Sequence, residues 1–86
     1  MVALSPYGTF AMTAAAARGT LEKAKLLARA GQLEQAAVAY DDYVMSYPNQ
    51  ESGPFAAWWS AAFAERLGDR SEAIARYLRL AELYPE

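Results

Sequence analysis

Cysteine and histidine are both absent from this chain of 86 residues. Without cysteine, no disulfide can staple the fold. Without either residue, the usual zinc and copper sites are excluded. The commonest general base and the commonest strong nucleophile are missing too. Basic residues are outnumbered, eight against ten acidic ones, for a net charge of −2. That balance argues against a nucleic-acid face, which has to be basic, and against a polybasic membrane anchor. Long apolar runs are missing as well. The longest uncharged stretch, Met1 to Ala17, is broken by Ser5, Pro6, Gly8 and two threonines, and it is too short to span a bilayer. No Lys or Arg precedes its apolar part, Phe10 to Ala17, whereas a signal peptide opens on a positive region. No signal peptide is therefore expected, and the compartment stays open between cytoplasm and periplasm. No phosphate-cradling glycine loop, nucleophile elbow or metal-ligand spacing occurs. The expectation is a non-enzymatic chain without cofactor or metal.

What is present is alanine and helical periodicity. Hydrophobic residues make up 55% of the chain, and alanine, the best helix former, lets helices pack closely. Eighty-six residues suffice for one domain, near the lower size limit for standing alone. Ser5-Pro6 reads as an N-cap with proline at the first helical position, starting a helix from Pro6 to Arg18 that ends at Gly19. Thr20 caps a second helix, with Leu21, Ala24, Leu27 and Ala28 on one stripe and Gly31 as its C-terminal stop. A third helix from Leu33 to Tyr47 carries Leu33, Ala36, Ala37, Tyr40, Tyr43, Val44 and Tyr47 on its apolar face, and Pro48 stops it. After the polar connection Asn49 to Gly53, Pro54 opens a fourth helix with Phe55, Trp58, Trp59, Ala62, Phe63 and Leu67. Gly68 closes it. Asp69 and Glu72 have the form of a capping box and start a fifth helix with Ala73, Ile74, Tyr77, Leu80, Ala81 and Tyr84, stopped by Pro85.

One pattern occurs twice, 37 residues apart. Gly31, Leu33, Ala36, Tyr40, Tyr47 and Pro48 return as Gly68, Arg70, Ala73, Tyr77, Tyr84 and Pro85. A fixed period of this size marks a helical repeat. The spacing Gly31-x-Leu33-x-x-Ala36-x-x-x-Tyr40, followed by Pro48, resembles the second half of a tetratricopeptide (TPR) repeat, and Gly68, Ala73-x-x-x-Tyr77 and Pro85 repeat it. The resemblance covers Thr20 to Glu86. It implies an all-α fold of antiparallel helical hairpins, a TPR-like right-handed superhelix of about five helices. The expected division is one domain over 1–86, with a leading helix at 1–19, repeat 1 at 20–48 and repeat 2 at 54–86. The family period is 34 residues, and Thr20, Lys23 and Ala24 stand where it prefers Trp, Leu and Gly. Ala57, Ser60 and Ala61 stand there in the second repeat. The longer period, the Tyr-Pro ends and Ala57-Trp58-Trp59 are similar to a TPR subset of bacterial cell-envelope proteins, of the Tol–Pal-associated and outer-membrane assembly type.

The resemblance also implies a function: a scaffold or interaction module presenting a groove or end surface to a protein partner. The first helix of each hairpin would line the concave face. That assigns partner binding to Leu21, Lys25 and Arg29, beside Ala28, and to Phe55, Trp58, Ala62 and Glu65. Phe55, Trp58 and Leu21 would be anchors, and Lys25 and Arg29 would steer acidic groups. The expected occupant is a peptide or helix of another protein, or a copy of the chain; nucleic acid and membrane insertion are not expected. Alternatives are a small accessory subunit of a larger assembly, or a detached helical segment of an envelope enzyme. Trp59 and Phe63 fit core packing, whereas Trp58 points about 100° away from Trp59 and should reach an edge or groove. A carboxylate clamp would need asparagines on the concave helices, and the sole asparagine is Asn49 in a loop. Lys25 and Arg29 therefore read as a solvated basic face rather than as a clamp. Asp41 and Asp42, adjacent in sequence, do not face each other on a helix and read as outer-face polar residues. The last helix should leave Ile74, Leu78 and Leu83 on an uncovered side, which points to self-association or to residence in a complex.

Overall fold

The computed structural model describes residues 6–85, with side chains from residue 13 on. Among these residues there are four helices and no strand: α1 (Pro6–Arg29), α2 (Leu33–Ser46), α3 (Gly53–Arg66) and α4 (Arg70–Leu83). Ser5, the expected first cap, lies outside the described residues. Each helix packs on its sequence neighbour, α1 on α2, α2 on α3 and α3 on α4. Short turns between them make the pairs antiparallel. The fold is all-α and TPR-like, two helical hairpins stacked in series.

Four helices replace the five read from the sequence, because α1 runs straight through Gly19 and Thr20. A glycine inside a helix costs about 1 kcal/mol relative to alanine, which is too little to break a segment flanked by good helix formers. Gly19 keeps a negative φ. The Thr20 hydroxyl, expected to cap a new helix, instead donates back to the Ala16 carbonyl at 3.1 Å. At about 1.5 Å per residue, α1 spans about 36 Å.

The other helix ends follow the sequence reading. Gly31 and Gly68 adopt φ of +79° and +83°, the left-handed region that glycine enters without penalty. Both build the same stop. Gly31 N–H donates to Ala28 O and Gln32 N–H to Leu27 O; Gly68 N–H donates to Glu65 O and Asp69 N–H to Ala64 O, each at 3.0 Å. This paired arrangement satisfies the last carbonyls of α1 and α3. Tyr47 and Tyr84 close α2 and α4 with nearly equal φ, −133° and −134°, each held out of the helical region by the proline that follows. The capping box is half formed. Asp69 accepts from Glu72 N–H at 3.2 Å, but the Glu72 carboxylate turns to Arg76 Nε at 3.0 Å.

The core lies where α1, α2 and α3 meet. Ala24, Ala36 and Ala56 are fully buried, so three backbones approach closely. Tyr40, Tyr43, Val44, Leu21 and Phe63 fill the remaining space. In α4 only Ala73 is buried. Polar ties hold α4 in place: Arg76 donates to Ser60 O at 3.2 Å, Arg79 pairs with Asp41 of α2, and the Tyr84 hydroxyl donates to Pro48 O at 2.6 Å.

Candidate functional site

α1 and α3 are the first helices of the two hairpins, and they bring a cation to an aromatic shelf. Lys25 Nζ stands 5.8 Å from the centroid of the Phe55 ring, a cation–π distance. The same ammonium lies 3.6 Å from Glu22 one turn earlier. Phe55 meets Tyr40 edge-on at 6.0 Å and Trp59 at 6.3 Å. Trp59 continues to Phe63 at 5.0 Å and to Trp58 at 4.9 Å, with the two indoles nearly perpendicular. Five aromatic rings thus run from the core at Tyr40 and Phe63 to the surface at Phe55 and Trp58. Ring pairs of this kind each contribute about 0.5–1.5 kcal/mol beyond burial, so the shelf is rigid as well as apolar. Phe55 and Trp58 remain 44% and 47% exposed, enough ring surface to bury against a partner.

The residues named from the sequence divide. Lys25 and Phe55 come together, and Trp58 joins them through Trp59. Arg29 is exposed and near enough to Tyr40 to act on its ionisation. The Tyr40 hydroxyl has its pKa raised by burial, with Arg29 pulling it down and Glu22 pushing it up. Ala62 is half-buried. Leu21, expected as an open anchor, is buried at 8% exposure in the core, where α1 packs on α2. Glu65 does not join the shelf. It turns towards α4 and accepts from the Tyr77 hydroxyl at 3.0 Å, and burial together with that carboxylate raises the Tyr77 pKa. Asp41, expected on the outer face, instead ties α2 to α4 through Arg79. Ala37 and Val44, four residues before and three after Asp41, are buried on the same side of α2, and that spacing was the available signal for it.

Two shallow grooves also lie among the described residues. A shallow groove between α1 and the α2–α3 turn is lined by Arg18, Lys25, Glu51 and Ser52 among others. Another between α1 and α2 mixes Lys23, Glu34 and Asp42 with Leu27 and Val38. Among the described residues, no helix is long and apolar enough to cross a membrane.

Residues 56–86, the second hairpin, match the tetratricopeptide repeat family. That match agrees with the Gly68, Ala73-x-x-x-Tyr77 and Tyr84-Pro85 positions of that hairpin. No curated protein and no solved structure matches the chain.

Proposed function

We propose that the chain is a non-catalytic protein-interaction module whose working surface is the shelf of Phe55 and Trp58 flanked by Lys25 and Arg29. The observation that carries this reading is the ring of Phe55, nearly half exposed on a rigid aromatic cluster with the Lys25 ammonium over it. Rigid aromatic anchors supply binding free energy at little entropic cost, and a neighbouring cation orients the partner's acidic groups. The matching ligand is a peptide or helix with an apolar side chain for the shelf and a carboxylate for Lys25 or Arg29. The Tyr-Pro ends and Ala57-Trp58-Trp59 support a closer kinship with the bacterial cell-envelope type of repeat.

Selection from a displayed random-peptide library tests the reading. Sequences pairing an apolar residue with Asp or Glu should enrich on the wild-type chain. Their affinity should fall at least tenfold with Phe55→Ala and with Lys25→Glu, while helical circular dichroism stays unchanged. No enrichment, or binders indifferent to both substitutions, would contradict it.

A further inference from the structure

Among the described residues one interface position occurs twice along the repeat, and the described elements cover the first copy. The 37-residue period sets Leu21 of α1 opposite Trp58 of α3, and Ala37, Tyr40 and Val44 of α2 opposite Ile74, Tyr77 and Ala81 of α4. The first set is buried: Leu21 is 8% exposed and Ala37 only 2%. Part of the cover is α3, whose Phe55 and Phe63 rings lie 6.0 and 6.1 Å from the Tyr40 ring. The second set faces outward. Trp58 is 47% and Ile74 54% exposed, Ala81 is exposed and Tyr77 half-buried. No described element lies over them. Leu78 extends the same uncovered face.

We infer that this outer face of α3 and α4 binds a helix of α3's own type from a partner protein: aromatic side chains four residues apart, as Phe55, Trp59 and Phe63 are, set among alanines. The inner interface supplies the template, because a repeated backbone sets equivalent positions at equivalent places and Tyr40 recurs there as Tyr77. The differences between the copies refine the partner. Asp41, which receives Arg79 across the inner interface, has Leu78 as its counterpart. The partner therefore presents an apolar residue there, not an arginine. A second copy stacked head to tail is a poor occupant. Its α1 would have to play the part of α3, and the α1 counterparts of Phe55, Trp59 and Phe63 are Arg18, Glu22 and Leu26. Two of those three are charged, and burying them unpaired on an apolar face is costly. The inference rests on the reading of the chain as an interaction module and shares Trp58 with the shelf, but the residues that test it, Ile74 and Leu78 of α4, lie outside the shelf, so the two can fail separately.

The probe is a fluorescein-labelled, hydrocarbon-stapled peptide carrying residues 53–68 of this sequence, the staple keeping it helical. Fluorescence anisotropy against the intact chain should show saturable binding. Ile74→Asp and Leu78→Asp, both on exposed positions, should each weaken it at least tenfold, and Lys23→Glu, at an exposed position of α1, should leave it unchanged. Circular dichroism confirms that the variants fold. Absence of saturable binding would overturn the inference. So would binding indifferent to both α4 substitutions. A homodimer dissolved by Ile74→Asp would give the face to a second copy and overturn it as well.

Discussion

At Gly53 a side chain is impossible because Tyr84 already fills its place. A Cβ built there would lie 2.1 Å from the Tyr84 hydroxyl and 3.1 Å from the Pro48 carbonyl, and those two atoms are hydrogen-bonded to each other. Gly53→Ala should therefore destabilise the chain by about 1–3 kcal/mol, the usual cost of overpacking. Urea denaturation checks this, and an unchanged midpoint would refute the close approach. Ser60 is the opposite case. It is 1% exposed and its Oγ has no hydrogen-bond partner. Ser60→Ala should be neutral or stabilising by up to about 1 kcal/mol, since an unsatisfied buried hydroxyl is removed. A loss above that size would mean the hydroxyl is bonded after all. Neither contact was legible in the sequence. Gly53 looked like part of a polar connection, because the tyrosine that explains it belongs to the other end of the next hairpin. The core roles of Phe63 and Tyr40 were legible, since each sits on an apolar stripe of helical period.

The helices show where local signals suffice. Gly31 and Gly68 end their helices as read, because each sits at a left-handed position followed by polar residues that start a new helix. Gly19 misled, since a glycine stops a helix only when the next residues leave the helical path, and Thr20 and Leu21 do not. The two kinds of glycine should respond oppositely to alanine. Gly19→Ala meets nothing within 4 Å and should stabilise the chain by about 0.5–1 kcal/mol. Gly31→Ala and Gly68→Ala force a Cβ into the left-handed region and should destabilise it by about 1 kcal/mol or more. Thermal melts of the three variants decide the matter; a destabilising Gly19→Ala would restore the break that the sequence suggested. For the candidate site, spacing located Phe55, Trp58 and Lys25 on usable surfaces. The burial of Leu21 and the hydrogen bond from Tyr77 to Glu65 depend on tertiary neighbours, which spacing does not give.

At the scale of the whole molecule, tyrosine ionisation links stability to pH. Burial raises the pKa of Tyr40, Tyr43, Tyr77 and Tyr84 above the ordinary 10.0. Neighbours add smaller effects: Ser52 lowers Tyr43, Glu65 raises Tyr77 and Tyr43 raises Tyr84. The unfolded chain therefore releases these protons first as pH rises. The stabilisation is complete below about pH 9 and declines from about pH 10 upward. Melting temperatures should follow that course, and a flat profile through about pH 11 would contradict it. The same four hydroxyls sit where the hairpins meet or where α4 closes on α3, so alkaline loss should begin with α4, the least buried helix.

The central claim is that the exposed aromatic and aliphatic surfaces serve a different protein. Light scattering coupled to size exclusion, across a hundredfold range of concentration, tests it most directly. The account predicts one species of 9.4 kDa throughout. A stable oligomer that Ile74→Asp or Phe55→Ala returns to monomer would contradict it, because the surfaces would then be filled by the chain itself.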